Sequence, residues 1–219
     1  MSDYISREQE LSAQETSEFG SLFDNIKDQK DLARFFELSS YNNFQDCTEA
    51  DKQKIIDTRL ALRNYLPLSF DKLDLGTVKI MTASVLHLDD RRVFEDYTYI
   101  LFPTLKAIEA IILQIISGLH ITTERRFKIG WLFYDRCAND PEALSDFALS
   151  PSCRYYNVIP ESYHAPLERL YNLLHRYRHY YFHADKNIDG EISYIATRDF
   201  AVDLLMSIYA EIERSTVIL

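Results

Sequence analysis

The chain has 219 residues, 47% of them hydrophobic and 13% aromatic, which is enough apolar side chain to build a core and excludes wholesale disorder. Its formal charge of −10 has the wrong sign for a protein that coats nucleic acid without selectivity. Five glycines and six prolines leave little punctuation, so a mainly α fold of long helices is predicted.

Residues 5–40 and 49–65 read as acidic helices. Residues 1–75 hold 15 Asp and Glu against 9 Lys and Arg, a net of −6, which leaves −4 for the remainder. A hinge is predicted at 66–70, around Pro67. A boundary near residue 75 would then separate an acidic helical N-terminal extension, 1–75, from a helical domain, 76–219. Cys47, Cys137 and Cys153 form no C-x-x-C pair, and the first residues are polar, so a reduced, cytoplasmic setting is expected.

Further along, Pro103 suits the first turn of a helix that Gly118 can end. The most apolar stretch, 105–116, is interrupted by Lys106, Glu109 and Gln114 and is too short to cross a bilayer. It is predicted to be a core helix, with no membrane partner. A second helix is predicted over 125–136, and 140–165, with Pro141, Pro151 and Pro160, reads as broken or looped. Pro166 is expected to open the next helix. At 100° per residue, Leu167, Leu170, Leu174, Tyr177 and Tyr181 fall within about 80° of one another, a core stripe that Arg178 borders. A short polar turn at 187–190 follows, with 192–195 extended. Thr197 is a good N-cap for a last helix running to about Arg214.

The run Arg178-His179-Tyr180-Tyr181-Phe182-His183 sets a permanent cation and a titratable imidazole among aromatics. A guanidinium clamps a phosphate through paired donors, and histidine exchanges a proton near neutral pH, the two functions needed to break a phosphodiester without metal. The local charge agrees, because Arg169, Arg176, Arg178 and Lys186 face only Glu168 and Asp185 between residues 166 and 186. On an ideal helix Arg178 and His183 diverge by about 140°, so a distorted helix end or a second copy of the chain would have to complete a site. The same residues also fit a solvated helix face. Glu109 likewise has two readings: a surface pair with Lys106 at helical spacing, or a carboxylate that orients an arginine such as Arg178. Two metal readings stay open. His175, His179 and His183 recur every four residues, which could place two zinc ligands on one face, but no nearby Cys or carboxylate completes the set. Residues 185–193 match the start of a calcium loop, yet Ala196 stands where its bidentate glutamate belongs. No metal site and no cofactor are predicted.

Taken together, Leu101-Phe102-Pro103-Thr104-Leu105-Lys106-Ala107-Ile108-Glu109, then Leu167-Glu168-Arg169-Leu170-Tyr171-Asn172, then the Arg178–His183 step resemble the HEPN ribonucleases. More narrowly, they are similar to the C-terminal toxin domain of the RNase LS (RnlA/LsoA-type) toxins of bacterial toxin–antitoxin and phage-defence systems. The resemblance covers residues 76–219. It implies a HEPN-type helical bundle with a short polar turn or hairpin before the last helix. It also implies a homodimer whose two motifs share one cleft, a metal-independent endoribonuclease activity, an RNA substrate and a cognate antitoxin. Arg178 would then bind the scissile phosphate, His183 would act on the 2′-hydroxyl or the leaving 5′-oxygen, and Glu109 would hold the arginine. Lys106, Arg176 and His179 are the candidate substrate-binding residues. Lys106 stands where the closest relatives would carry arginine, which keeps the charge but loses bidentate geometry. The alternatives are a non-catalytic HEPN module that binds a partner, and a metal-responsive regulator.

Overall fold

The computed structural model describes residues 48–121, 127–139, 144–182 and 193–216, apart from the side chain of His179. The acidic helix predicted over 5–40, the turn at 187–190 and its hairpin alternative, His183 and most of the calcium-like loop lie outside those residues.

Five α-helices account for most of what is described: α1 Glu49–Tyr65, α2 Leu75–Leu88, α3 Phe102–Gly118, α4 Glu161–Phe182 and α5 Arg198–Thr216. The fold is therefore mainly α, a helical bundle. Local chemistry starts these helices. At α1 the Thr48 hydroxyl accepts from the Asp51 amide at 3.2 Å, while the Asp51 carboxylate accepts from the Thr48 amide at 3.0 Å, a reciprocal capping box. Asp74 caps α2 by accepting from the Thr77 amide at 2.8 Å. Pro103 occupies the first turn of α3, as its fixed φ favours. Thr197 caps α5 through the Phe200 amide at 3.3 Å.

Helix α3 is the axis of the bundle and packs against α2, α4 and α5. Ala107, Ile108, Ile111 and Ile112 are fully buried, as the apolar run predicts for a core helix. The α4 stripe joins them through Leu167, Leu170 and Leu174. Residues 49–74 do not stand apart as an extension. Leu62, Leu66, Phe70 and Leu73 enter the same core as Ile108, α1 packs on α2 and α5, and Tyr65 stacks on Tyr209 at 5.7 Å. The boundary near 75 follows a shift in charge, whereas burying each of these apolar side chains contributes about 1.5–3 kcal/mol across that line. Part of the predicted hinge is ordered by α5, whose Glu213 carboxylate accepts from the Leu68 amide.

Two predictions fail locally. The helix expected over 125–136 is, where described, a 3-10 turn at Ile129–Leu132 running into a strand, β1 Phe133–Asp135. That strand pairs antiparallel with β2 Phe147–Leu149 in the register Phe133↔Leu149, Tyr134↔Ala148 and Asp135↔Phe147. Helix α4 holds this hairpin. The Asn172 side chain accepts from the Phe147 amide and donates to its carbonyl, both at 2.8 Å, and Glu168 accepts from the Leu149 amide at 3.0 Å. Phe133 stacks on Tyr171 with ring centres 4.1 Å apart. Tertiary partners thus override local helical preference.

The second failure concerns α4, which begins at Glu161 and carries Pro166 inside it. As the sixth residue of the helix, the proline removes only one bond of the second turn, and the Tyr163 amide has already turned onto the Pro160 carbonyl at 2.9 Å. Residues 193–197 lie in neither helix nor strand. Instead the Ile195 carbonyl accepts from the Tyr97 amide at 2.9 Å and its amide donates to Asp96 at 3.2 Å.

Candidate active site on the groove between two helices

Helices α3 and α4 lie side by side, and their border residues face one groove. On α3 these are Phe102, Lys106 and Glu109, spaced three or four apart; on α4 they are Leu174, Arg178 and Phe182, four apart. The Arg178 guanidinium donates through Nη1 to Glu109 Oε1, closing a contact between residues 69 apart in sequence. The pair is not buried: the Arg178 side chain is 51% exposed and that of Glu109 37%. Its worth to stability is therefore small, at most about 1 kcal/mol, and its main effect is to fix where the arginine points.

One Nη1 donor of the guanidinium is committed to the carboxylate, which leaves other N–H donors on a side chain that lines the groove. Beside them is a cleft of about 270 Å³ lined by Phe102, Leu105, Lys106, Leu174 and Phe182. Phe102 and Phe182 form its apolar lip, with rings 5.4 Å apart. Lys106 is exposed and makes no ion pair among the described residues, so the surface pairing of Lys106 with Glu109 does not form. Two cations and one carboxylate thus meet in an otherwise acidic protein, a local positive site suited to an anion such as a phosphate. A second cleft, of about 600 Å³, opens on the other side of the Glu109–Arg178 pair and is lined in part by Lys128, Gly130, Tyr171 and His175. Burial raises the Tyr171 phenol above its ordinary value, opposed by the nearby Arg178 charge.

Of the candidate residues, Lys106, Glu109 and Arg178 come together. Arg176 does not: it is exposed, turned about 200° from Arg178 around α4, and lines neither cleft. The backbone of His179 belongs to α4, but its side chain lies outside the described set, as does the whole of His183. Among the described residues no three His, Cys, Asp or Glu side chains gather where they could hold a metal. Residues not foreseen are Phe102 and Phe182 as the lip and Lys128 and Tyr171 in the second cleft. Phe102 was legible as a large apolar residue ahead of Pro103 on a face with no core partner; Lys128 carried no signal, being set by the turn that replaces a predicted helix.

The fold and groove define a class, a mainly helical bundle presenting an arginine held by a carboxylate beside a lysine that has no ion pair among the described residues. The fold is shared with a crystal structure of the Escherichia coli toxin LsoA, determined in complex with the T4 phage antitoxin Dmd. The match has a TM-score of 0.62 and 20% sequence identity and covers 84% of this chain and 71% of that one. No curated protein sequence matches the chain. The chain belongs to the family described as RNase LS, bacterial toxin DBD domain, which matches residues 52–185. That span begins inside α1 and includes Lys106, Glu109, Arg178 and His183.

Proposed function

We propose that the protein is a metal-independent endoribonuclease, the toxin of a toxin–antitoxin or phage-defence pair, held in check by a cognate antitoxin protein. The observation that carries this reading is the Glu109–Arg178 pair, set in an open groove with the exposed Lys106 beside it. Family membership supports the reaction class, and the complex in which LsoA was crystallised supports a protein partner.

In this mechanism Glu109 positions Arg178, whose remaining donors bind the non-bridging oxygens of the scissile phosphate. Lys106 adds a second positive charge as the pentacovalent transition state gains negative charge. The RNA 2′-oxygen attacks phosphorus and the bond to the 5′-oxygen breaks, giving a 2′,3′-cyclic phosphate and a 5′-hydroxyl. A base must take the 2′-proton and an acid must supply one to the leaving oxygen. His183, one per copy in a homodimer, fills these roles. The twofold arrangement is the option this reading takes for completing the site, because five residues separate Arg178 from His183 by about 140° on an ideal helix.

The reading is tested by mixing. Arg178→Ala protein added to wild type should depress RNA cleavage beyond simple dilution, because mixed dimers carry one arginine. Activity that tracks only the wild-type fraction, or full-rate cleavage by a strictly monomeric preparation, overturns the shared site. Expression in cells should arrest growth for wild type and not for Arg178→Ala or His183→Ala; arrest by either folded variant overturns the toxin assignment.

A further inference from the structure

The Glu109–Arg178 pair forms the common wall of two clefts, yet the mechanism above uses only the smaller one. A phosphate bound at Arg178 belongs to a strand, so nucleotides must continue on both sides of it. On the side away from Lys106 they meet the larger cleft, whose volume of about 600 Å³ is within the range of small-ligand sites. We propose that this second cleft is a nucleotide subsite for the RNA substrate. It takes the base that flanks the scissile phosphate and sets which sequences are cut. The proposal rests on the ribonuclease reading of the same groove.

Three features of the cleft fit a base and its phosphate. The first is aromatic lining. Tyr171 and His175 stand on the same face of α4 as Leu174 and Arg178, at positions one, four, five and eight of that face, so a base beside them is in register with the phosphate site. Both rings are braced by a neighbouring ring, Tyr171 by Phe133 at 4.1 Å and His175 by Phe147 at 4.2 Å. A braced ring loses little freedom when a base stacks on it. Phe127, half-buried, supplies a third ring.

The second feature is Lys128. It is exposed at the cleft and makes no ion pair among the described residues, as expected of a cation reserved for a phosphate. The third is Gly130. A Cβ there would sit 3.0 Å from the Tyr171 hydroxyl, tighter than ordinary contact, so the missing side chain keeps the cleft open beside that phenol. The phenol, protonated at neutral pH as tyrosines ordinarily are, can donate to a base edge. Phe127 and Tyr171 pack against the core and at the same time line a cleft that reaches the Arg178 guanidinium.

The test uses fluorescently labelled 2′-O-methyl oligonucleotides, which lack the attacking hydroxyl, with binding read by anisotropy across a salt series. Lys128→Gln, an exposed change that leaves packing alone, should weaken binding and lower the slope of log K against log salt by about 0.7, the value for one phosphate on a single strand. Phe127→Ala should weaken binding roughly 5- to 150-fold through lost stacking. With cleavable RNA, both variants should raise KM more than they lower kcat, and Phe127→Ala should change which sites are cut. Wild-type affinity, salt slope and cut sites in both variants, in a preparation that cleaves RNA, overturn the subsite and leave the ribonuclease reading standing. A wild-type protein that neither binds nor cuts RNA overturns both. Competition by a free nucleoside monophosphate at concentrations well below those needed for a dinucleotide would instead assign the cleft to a soluble nucleotide and overturn its role in substrate choice.

Discussion

Replacing Glu109 by glutamine removes the charge that holds Arg178 but keeps the shape and one accepting oxygen. Because both side chains are a third or more exposed, solvent screens the pair. The folded state should lose at most about 1 kcal/mol. For a urea slope of about 1–3 kcal/mol/M, that is a midpoint shift of at most about 0.3–1 M. The catalytic cost should be larger. A glutamine oxygen still accepts from the charged guanidinium but brings no opposite charge and no second accepting oxygen to fix the fork, and a reacting group displaced by about 1 Å can lose 10²-fold in rate. We expect kcat to fall about 10-fold in Glu109→Gln and about 10²-fold in Glu109→Ala, with KM changing less in each, as befits a positioning residue. The assay is single-turnover cleavage of a labelled RNA alongside urea unfolding of the same preparations. Wild-type kcat in a folded Glu109→Ala variant would refute the idea that Arg178 needs its carboxylate. Destabilisation of more than about 2 kcal/mol would show that the pair is structural.

Leu62 is fully buried in the shared core, so Leu62→Ala should cost about 2–5 kcal/mol in denaturant unfolding; a cost below about 1 kcal/mol would mean that α1 is an appendage. Asn172→Ala strips both Asn172 bonds from Phe147 and should destabilise by about 1–3 kcal/mol, with faster hydrogen exchange at the Phe147 amide as the local signature. Burial lowers the His87 imidazole below its ordinary value, with Asp90 opposing the shift and Arg92 adding to it. The unfolded chain therefore takes up a proton first as pH falls. The His87 contribution to stability is complete above about pH 6.5 and is lost from there down through the folded value. Urea midpoints at about pH 7.5 and 5.5 should differ less in His87→Phe than in wild type, and an equal fall in both would contradict this.

The elements most legible in the sequence were those whose own residues decide them. Helix α3 has a proline near its start, a glycine at its end and isoleucines throughout. The stripe on α4 and the cap at Thr197 are similarly local. Helix α2 was not anticipated, although Asp74 is a good cap, because its apolar residues circle the helix without a polar face to mark the period. The hairpin was hidden for another reason, since its stabilising partners Glu168 and Asn172 lie on a distant helix. At the site, helical spacing favoured Lys106 over Arg178 as the partner of Glu109. Only the packing of α3 on α4 chooses the arginine, and the family resemblance pointed there before spacing could. Arg176 looked basic and well placed in the linear run, but its position around α4 carries it away from the groove.

The central claim is that the Arg178 groove cuts RNA by attack of the 2′-oxygen. The most direct measurement is cleavage of a defined RNA by purified protein in excess EDTA, with the ends of the products identified. The account predicts fragments ending in 2′,3′-cyclic phosphate and 5′-hydroxyl, formed about 10²–10⁴-fold more slowly by Arg178→Ala. Products bearing 5′-phosphate, activity that returns only when a divalent metal is restored, or undiminished cleavage by a folded Arg178→Ala protein would contradict it.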